Sequence, residues 1–256
     1  MTPVIVIPAR FASTRFPGKP LAEIGGVPML ARTAEVARAV GPFVVATDDV
    51  RISQFCERTG LPCVMTDPDL PSGSDRALAA ADLFAPEADV VVNLQGDAPF
   101  TPPAYVRACL DALETNPGAD IATPVVPLGW AALDELRVAK RTTPFSGTTA
   151  IAGADNRAVW FSKTIIPAIR KEGRTQEPSP VLQHVGLYAF RRAALERFVS
   201  LPPSRHERLE GLEQLRALEN GLSIACARVR PHPMSQAGID TPEDLARAEA
   251  RLTQLS

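Results

Sequence analysis

Residues Val4 to Leu21 read Val-Ile-Val-Ile-Pro-Ala-Arg-Phe-Ala-Ser-Thr-Arg-Phe-Pro-Gly-Lys-Pro-Leu. The run Val4-Ile5-Val6-Ile7 is apolar without alternation, which predicts a strand covered on both faces, and it stops at Pro8. The loop beyond it gathers Arg10, Ser13, Thr14, Arg15, Gly18 and Lys19. Cations neutralise phosphate charge, while hydroxyls and backbone N–H groups donate to phosphate oxygens. In open α/β sheets, ligands sit outside the carboxyl ends of the strands. The loop therefore suits a polyphosphate, with a solvated basic loop as the plain alternative. The chain holds only four lysines against 23 arginines, so no general lysine bias put Lys19 there.

Outward from this stretch, strands and helices alternate through residue 126. Strands are expected at 3–7, 43–46, 62–65, 88–94 and 119–126, and helices at 28–40, 50–59, 73–84 and 101–115. Strand–helix alternation predicts crossover units and a mainly parallel sheet. Residues 127–182 are less regular. A helix is expected at 130–137, with strands at 148–151 and 158–161 joined by the turn Ala154-Asp155-Asn156. The polar segment 172–180 reads as a mobile loop. One strand is expected at 184–190, then helices at 191–199 and 206–220, a strand at 223–229 and a last helix at 242–252. The whole reads as one α/β domain of 256 residues, with a nucleotide-binding half (1–126) and an acceptor-binding and dimerisation half (127–256).

The chain is 45% hydrophobic and 22% charged, an ordinary globular composition. A formal net charge of -2 argues against nucleic acid or an anionic membrane as partner. Cysteines 56, 63, 109 and 226 form no Cys-x-x-Cys pair, so a zinc site is not expected and a reducing compartment is. With no signal peptide and no spanning apolar run, a cytoplasmic protein is expected.

Several polar groups stand where chemistry is done. Asp97 follows the strand through Gly96, a place for a metal ligand over a nucleotide or for a turn cap. Magnesium takes one or two carboxylates and completes its octahedron with phosphate oxygens and water. Thr241, Pro242 and Asp244 start a helix; Asp240 just before them is not needed for that and is a candidate second carboxylate. Ser72-Gly73-Ser74-Asp75-Arg76 opens a helix whose free N–H groups can receive a base edge or phosphate, or be simply capped. Asp48 and Asp49 can meet a ribose, a metal or only solvent. His184 and Tyr188 share a strand face by alternation. Glu207, Glu210, Glu213 and Gln214 read mostly as the solvated face of an amphipathic helix.

Ile7-Pro8-Ala9-Arg10-Phe11-Ala12-Ser13-Thr14-Arg15-Phe16-Pro17-Gly18-Lys19-Pro20-Leu21 closely resembles the opening of the 3-deoxy-manno-octulosonate (Kdo) cytidylyltransferases, the CMP-Kdo synthetases. The likeness continues through Val45-Ala46-Thr47-Asp48, Ser72-Gly73-Ser74-Asp75-Arg76, Asn93-Leu94-Gln95-Gly96-Asp97 and Phe161-Ser162. It resumes at His184-Val185-Gly186-Leu187-Tyr188, Leu212-Glu213-Gln214-Leu215-Arg216 and Gly238-Ile239-Asp240-Thr241-Pro242-Glu243-Asp244-Leu245. The resemblance implies the nucleotide-diphospho-sugar transferase fold, a predominantly parallel mixed sheet with helices on both faces, and a homodimer. It implies CTP and a sugar acid as substrates and Mg2+ as cofactor. Lys19, Asp97 and Arg10 would be catalytic. Ala9, Arg10, Ser13, Thr14, Arg15 and Lys19 would meet the triphosphate, and Ser72, Gly73, Arg76 and Gln95 the cytidine. Gln95, Lys163, His184, Tyr188, Glu213 and Gln214 would face the sugar acid; Asp97 and Asp240 would hold the metal.

Three departures lie on the acceptor side. Ala98 replaces the family's Glu, Lys163 replaces its Arg, and Thr149-Ala150-Ile151 replaces Val-Lys-Val. Arginine grips a carboxylate bidentately where lysine is a point charge. A related acid such as 8-amino-Kdo is therefore kept as an alternative acceptor. A non-catalytic sugar-nucleotide-binding protein, and a transferase for another base or an aldose phosphate, are the other readings.

Overall fold

The computed structural model describes every residue except 13–15, 175–176, 234–238, 240 and 256. In chain order the elements are β1 (Pro3–Ala9), a 3₁₀ turn (Lys19–Leu21), the short hairpin β2 (Glu23–Ile24) and β3 (Val27–Pro28), α1 (Met29–Arg38), β4 (Phe43–Thr47), α2 (Val50–Thr59), β5 (Cys63–Met65), α3 (Gly73–Phe84), β6 (Val90–Leu94), α4 (Pro103–Thr115) and β7 (Ile121–Pro127). Then come α5 (Trp130–Thr142), β8 (Thr148–Ala152), β9 (Ala158–Ser162), β10 (Leu182–His184), β11 (Leu187–Arg191), α6 (Arg192–Ser200), α7 (Arg205–Glu210), α8 (Gln214–Glu219), β12 (Ile224–Arg228) and α9 (Pro242–Leu255).

All strands but β2 and β3 join one mixed sheet. β5, β4, β1 and β6 run parallel side by side. β11 inserts antiparallel between β6 and β7. The unalternating apolar run of β1 is explained by its two covered faces. Val4 and Val6 enter a core with α3, α6 and α8, while Ile5 and Ile7 enter a second core with α1, α2 and α4. No helix among the described residues is long and apolar enough to cross a membrane. All four cysteines are free thiols.

Helix starts follow local chemistry. Asp49 caps α2, accepting the Arg51 N–H at 2.9 Å, so of this acidic pair only Asp48 faces the cleft network described below. Ser72 caps α3. Thr241 and Asp244 exchange bonds in a capping box at α9.

Three expectations are corrected. The helix of 206–220 is two helices, because Gly211 takes φ +63° at the end of α7 while Ser204 and Glu207 close a capping box at its start. The helix from Trp130 runs on to Thr142. The strand of 184–190 is interrupted. β7 carries β12 along one edge and both β10 and β11 along the other. His184 lies opposite Val125, yet Ala189 lies opposite Ala122, so four residues of the one strand face two of the other. That is a bulge at 185–188, a device that re-aims side chains near functional sites. On its far edge, β11 pairs with β6 and β10 pairs with β8.

Candidate active site

The cleft lies over the carboxyl ends of β1, β4 and β6. Leaving β1, the chain turns back on itself where the Gly18 N–H donates to the Phe11 carbonyl at 2.9 Å. Gly18 has φ +73°, and an added Cβ would lie 3.0 Å from the Phe11 ring. The Arg51 guanidinium covers that ring at 3.4 Å. Lys19 thereby reaches across to Asp97, with Nζ 2.7 Å from Oδ2. Asp97 can come so near because Gly96 lacks a side chain; a Cβ there would stand 2.8 Å from the Pro8 carbonyl oxygen. The pair joins two of the three candidates that the resemblance assigns to transfer chemistry, 78 residues apart in sequence. Ser13, Thr14, Arg15 and Asp240 lie outside the described residues. Ile239, next to Asp240, donates its N–H to the Asp97 carbonyl at 2.9 Å. Asp97 offers hard, partly open carboxylate oxygens, and magnesium needs no more than one or two such ligands from protein. The donor set present fits that ion.

Arg10, at the rim, donates to the Leu70 carbonyl and has Nε 3.8 Å from Asp48. Arg76 is elsewhere than the sequence suggested. Its side chain is fully buried beneath the cleft instead of lining it, donating to Asp48 at 2.9 Å and to the Thr66 hydroxyl. Desolvation pulls its pKa down and the Asp48 charge holds it up. Arg76 braces the ends of β4 and β5 against α3. Ala9, also buried, closes β1.

A line of polar groups crosses the cleft floor. The Gln95 amide donates to Asn93 Oδ1 at 3.2 Å, and the Asn93 amide to Ser74 Oγ at 3.4 Å. Ser74 Oγ donates in turn to Glu213 Oε2 at 3.0 Å. Gly73 lies against the Gln95 amide. Ser72, beside it, donates to Asp75 at 2.6 Å. Burial raises the Glu213 pKa, and hydrogen bonds from Ser72 and Ser74 oppose the rise. Ser72, Glu213 and Arg216 also border a cavity of about 530 Å³ behind the cleft. Asn93 and Ser74 were not singled out by sequence; an Asn inside an apolar strand was the available signal.

On the acceptor side, the bulge brings two rings together. Four residues apart on a regular strand, His184 and Tyr188 would be separated by about 13 Å, yet their centroids lie 5.5 Å apart. The Tyr188 hydroxyl donates to Gln214 Oε1 at 2.9 Å. Phe161 packs edge-on against His184 at 5.1 Å. Burial first and the Lys163 charge second lower the His184 pKa to about 3, and burial pushes the Tyr188 phenol up. Lys163 leaves the end of β9, one residue past the Ser162–Thr149 pairing.

Both backbone polar atoms of Lys163 are held. Its N–H donates to Glu210 Oε2 at 2.7 Å and its carbonyl accepts from Lys140 Nζ. Lys140 also donates to the carbonyls of Ser146 at 2.6 Å, Gly147 at 3.1 Å and Pro144 at 3.3 Å. Glu210 and Glu207 are therefore not a solvated face. Glu210 also accepts from Ser162 Oγ at 2.8 Å, and Glu207 binds the Arg216 guanidinium.

The sequence profile of the cytidylyltransferase family, described as Cytidylyltransferase, matches residues 4–224. The chain is 43% identical over 252 residues to a 3-deoxy-manno-octulosonate cytidylyltransferase of Maricaulis maris, covering 97% of this chain and 96% of the relative. It is 45% identical over 258 residues to the one of Azorhizobium caulinodans, covering 97% and 95%. A solved CMP:2-keto-3-deoxy-manno-octonic acid synthetase complexed with CTP superposes with a TM-score of 0.85 at 34% identity, over 100% of both chains. A Leptospira borgpetersenii cytidylyltransferase, at 17% identity and TM-score 0.58 over 99% of this chain and 87% of that one, shares the fold. With the Lys19–Asp97 pair at the strand ends and these full-length likenesses, the chain belongs to the 3-deoxy-manno-octulosonate cytidylyltransferase family.

Proposed function

We propose that the protein transfers CMP from CTP to the anomeric hydroxyl of Kdo, giving CMP-Kdo and pyrophosphate. The observation that carries this is the meeting of Lys19 and Asp97 at 2.7 Å over the ends of β1 and β6, in a chain that matches a CTP complex along its whole length.

The anomeric oxygen bonds to the α-phosphorus while the bond from that phosphorus to the bridging oxygen breaks. Pyrophosphate leaves with the electron pair, and the hydroxyl proton passes to solvent. Such transfers run on positioning and charge neutralisation. Arg10 and Lys19, with Ser13, Thr14 and Arg15 of the same loop, hold the triphosphate. Lys19 offsets charge growing toward the leaving group. Ser72, Gly73 and Gln95 surround the cytidine; Arg76 serves it from below by holding Asp48 and α3. Gln95, His184, Tyr188, Glu213 and Gln214 face the sugar, and the Lys163 ammonium attracts its carboxylate. Asp97 and Asp240 would hold a magnesium ion, which when bound would supply charge neutralisation at the phosphates and acidify the attacking hydroxyl. Residues 1–126 supply the nucleotide side and 127–256 the acceptor side and a homodimer contact. A cytoplasmic place and a role in lipopolysaccharide or capsule synthesis accord with this product.

The test is pyrophosphate release with CTP, magnesium and a panel of Kdo, its 8-amino analogue and sialic-type acids. Turnover with Kdo supports the reading. Turnover only with another acid moves the specificity, with Ala98 and Lys163 as the residues to exchange. No release with any acid overturns it.

A further inference from the structure

Thr123 lies on β7 and is fully buried. Its hydroxyl oxygen sits 2.8 Å from the Leu187 carbonyl, 3.3 Å from the Val185 carbonyl and 2.9 Å from His184 Nε2. A hydroxyl has one proton and two lone pairs, and a carbonyl only accepts. The Thr123 proton therefore goes to Leu187, the nearer carbonyl. What Oγ1 then turns to His184 is a lone pair, so Nε2 must bring the hydrogen. The opposite assignment would press Oγ1 against a carbonyl oxygen at 2.8 Å with no proton between them, in a place sealed from water.

We propose that Thr123 is a positioning residue which fixes His184 as its Nε2–H tautomer, leaving Nδ1 as an acceptor that reads a hydrogen-bond donor on the sugar acid. This rests on the reading of His184 as an acceptor-side residue. Among the described residues, Nδ1 has no hydrogen-bond partner of its own. Burial beside the Lys163 charge keeps the ring neutral near pH 7, so the lone pair on Nδ1 persists. A lone pair welcomes a hydroxyl or an amino group and repels a carboxylate, so His184 selects by donor chemistry and leaves the acid group to a cation. The same Thr123 hydroxyl donates to the Leu187 carbonyl inside the 185–188 bulge and lies 3.3 Å from that of Val185. One side chain thus sets the ring's tautomer and holds the backbone turn that aims it. No charge and no sequence motif marks Thr123, and 61 residues separate it from its partner.

The proposal is tested on 15N-labelled full-length protein at pH 7. The imidazole nitrogens of three histidines are resolved and assigned through one-bond and longer couplings to protons. The expected result is a protonated Nε2 and a bare Nδ1 at His184. A protonated Nδ1 in the wild type overturns the proposal whatever any variant does. Thr123→Val is expected to mix the two tautomers and raise the KM for the sugar acid about tenfold, with the KM for CTP unchanged. Thr123→Ser is expected to restore both. Equal rises in the two KM values, or a wild-type sugar-acid KM in a Val variant with mixed tautomers, also overturn it. The spectrum does not depend on turnover. Absence of activity with every sugar acid would therefore strike the functional reading and leave the tautomer assignment standing.

Discussion

Replacing Lys140 by Met separates the stability of the acceptor side from its function. Lys140 meets four backbone carbonyls with three N–H groups, and two of those carbonyls, Gly147 and Lys163, are partly buried. Hydrogen bonds to charged groups contribute about 1.5–3 kcal/mol each, and the exposed ones are replaced by water at little loss. The Met side chain keeps the apolar stem but no donor. Counting one partly buried bond in full and the others as rehydrated gives a loss of about 2 kcal/mol, read from the midpoint of urea unfolding. The functional effect should be selective. With its carbonyl released, Lys163 loses one of the two backbone hydrogen bonds that fix it, and its ammonium drifts from where an acid group would meet it. The KM for the sugar acid should rise about tenfold, the worth of one well-placed charge-assisted contact, while the KM for CTP stays within twofold. Pyrophosphate release measured with each substrate varied in turn gives both constants. A stable variant with wild-type KM for the sugar acid would refute the reasoning, as would equal changes in both constants.

Asp97→Asn should lower turnover by at least about a thousandfold with little change in melting temperature, because Asn keeps the shape of the partly open side chain and an acceptor oxygen for Lys19; retained activity would remove Asp97 from the chemistry. Arg76→Met should cost about 3–5 kcal/mol in denaturant unfolding, since among the described residues Asp48 keeps only the 3.8 Å approach of Arg10; a loss under 1 kcal/mol would show that the brace is dispensable. The lowered His184 pKa has a definite sign. Between pH 3 and 6.5 the unfolded chain binds a proton that the folded ring refuses, so this group's contribution is complete above about pH 6.5 and is lost as pH falls toward 3. Glu213, whose pKa burial raises, acts in the opposite sense. His184→Gln should make stability less sensitive to pH between 4.5 and 7, and an unchanged slope would contradict the burial of a neutral ring.

The parts of the chain whose physics is local were readable from sequence. Val4 to Ile7 reports two covered faces directly, and Ser72, Thr241 and Gly60 announce helix ends through chemistry confined to a few residues. What escaped is non-local. The bulge at 185–188 meets Thr123 from another strand, and period-two reasoning presumes that no bulge exists. The break at Gly211 was hidden because an amphipathic pattern runs unbroken through it. Arg76 carried a motif signal but no burial signal, and only the fold shows that Asp48 and Thr66 claim it. Lys140 and Glu210 act on backbone atoms of Lys163, which leave no trace in its side-chain identity.

The placement of β11 bears on how the chain is made. β6 and β7 both lie within the first 127 residues, yet they share no pairing; the strand that welds them is β11, at 187–191. The remaining partners of β7 are β10 and β12, also from later in the chain. A nascent chain emerging as far as β7 therefore carries three unsatisfied strand edges among these two strands, one on β6 and both of β7. Such edges invite pairing with other chains, and closing them waits on contacts across about a hundred residues, a slow kind of contact to form. The sheet under the cleft is completed only once the acceptor half has been synthesised, and a fragment cut after β7 would leave that strand without any partner.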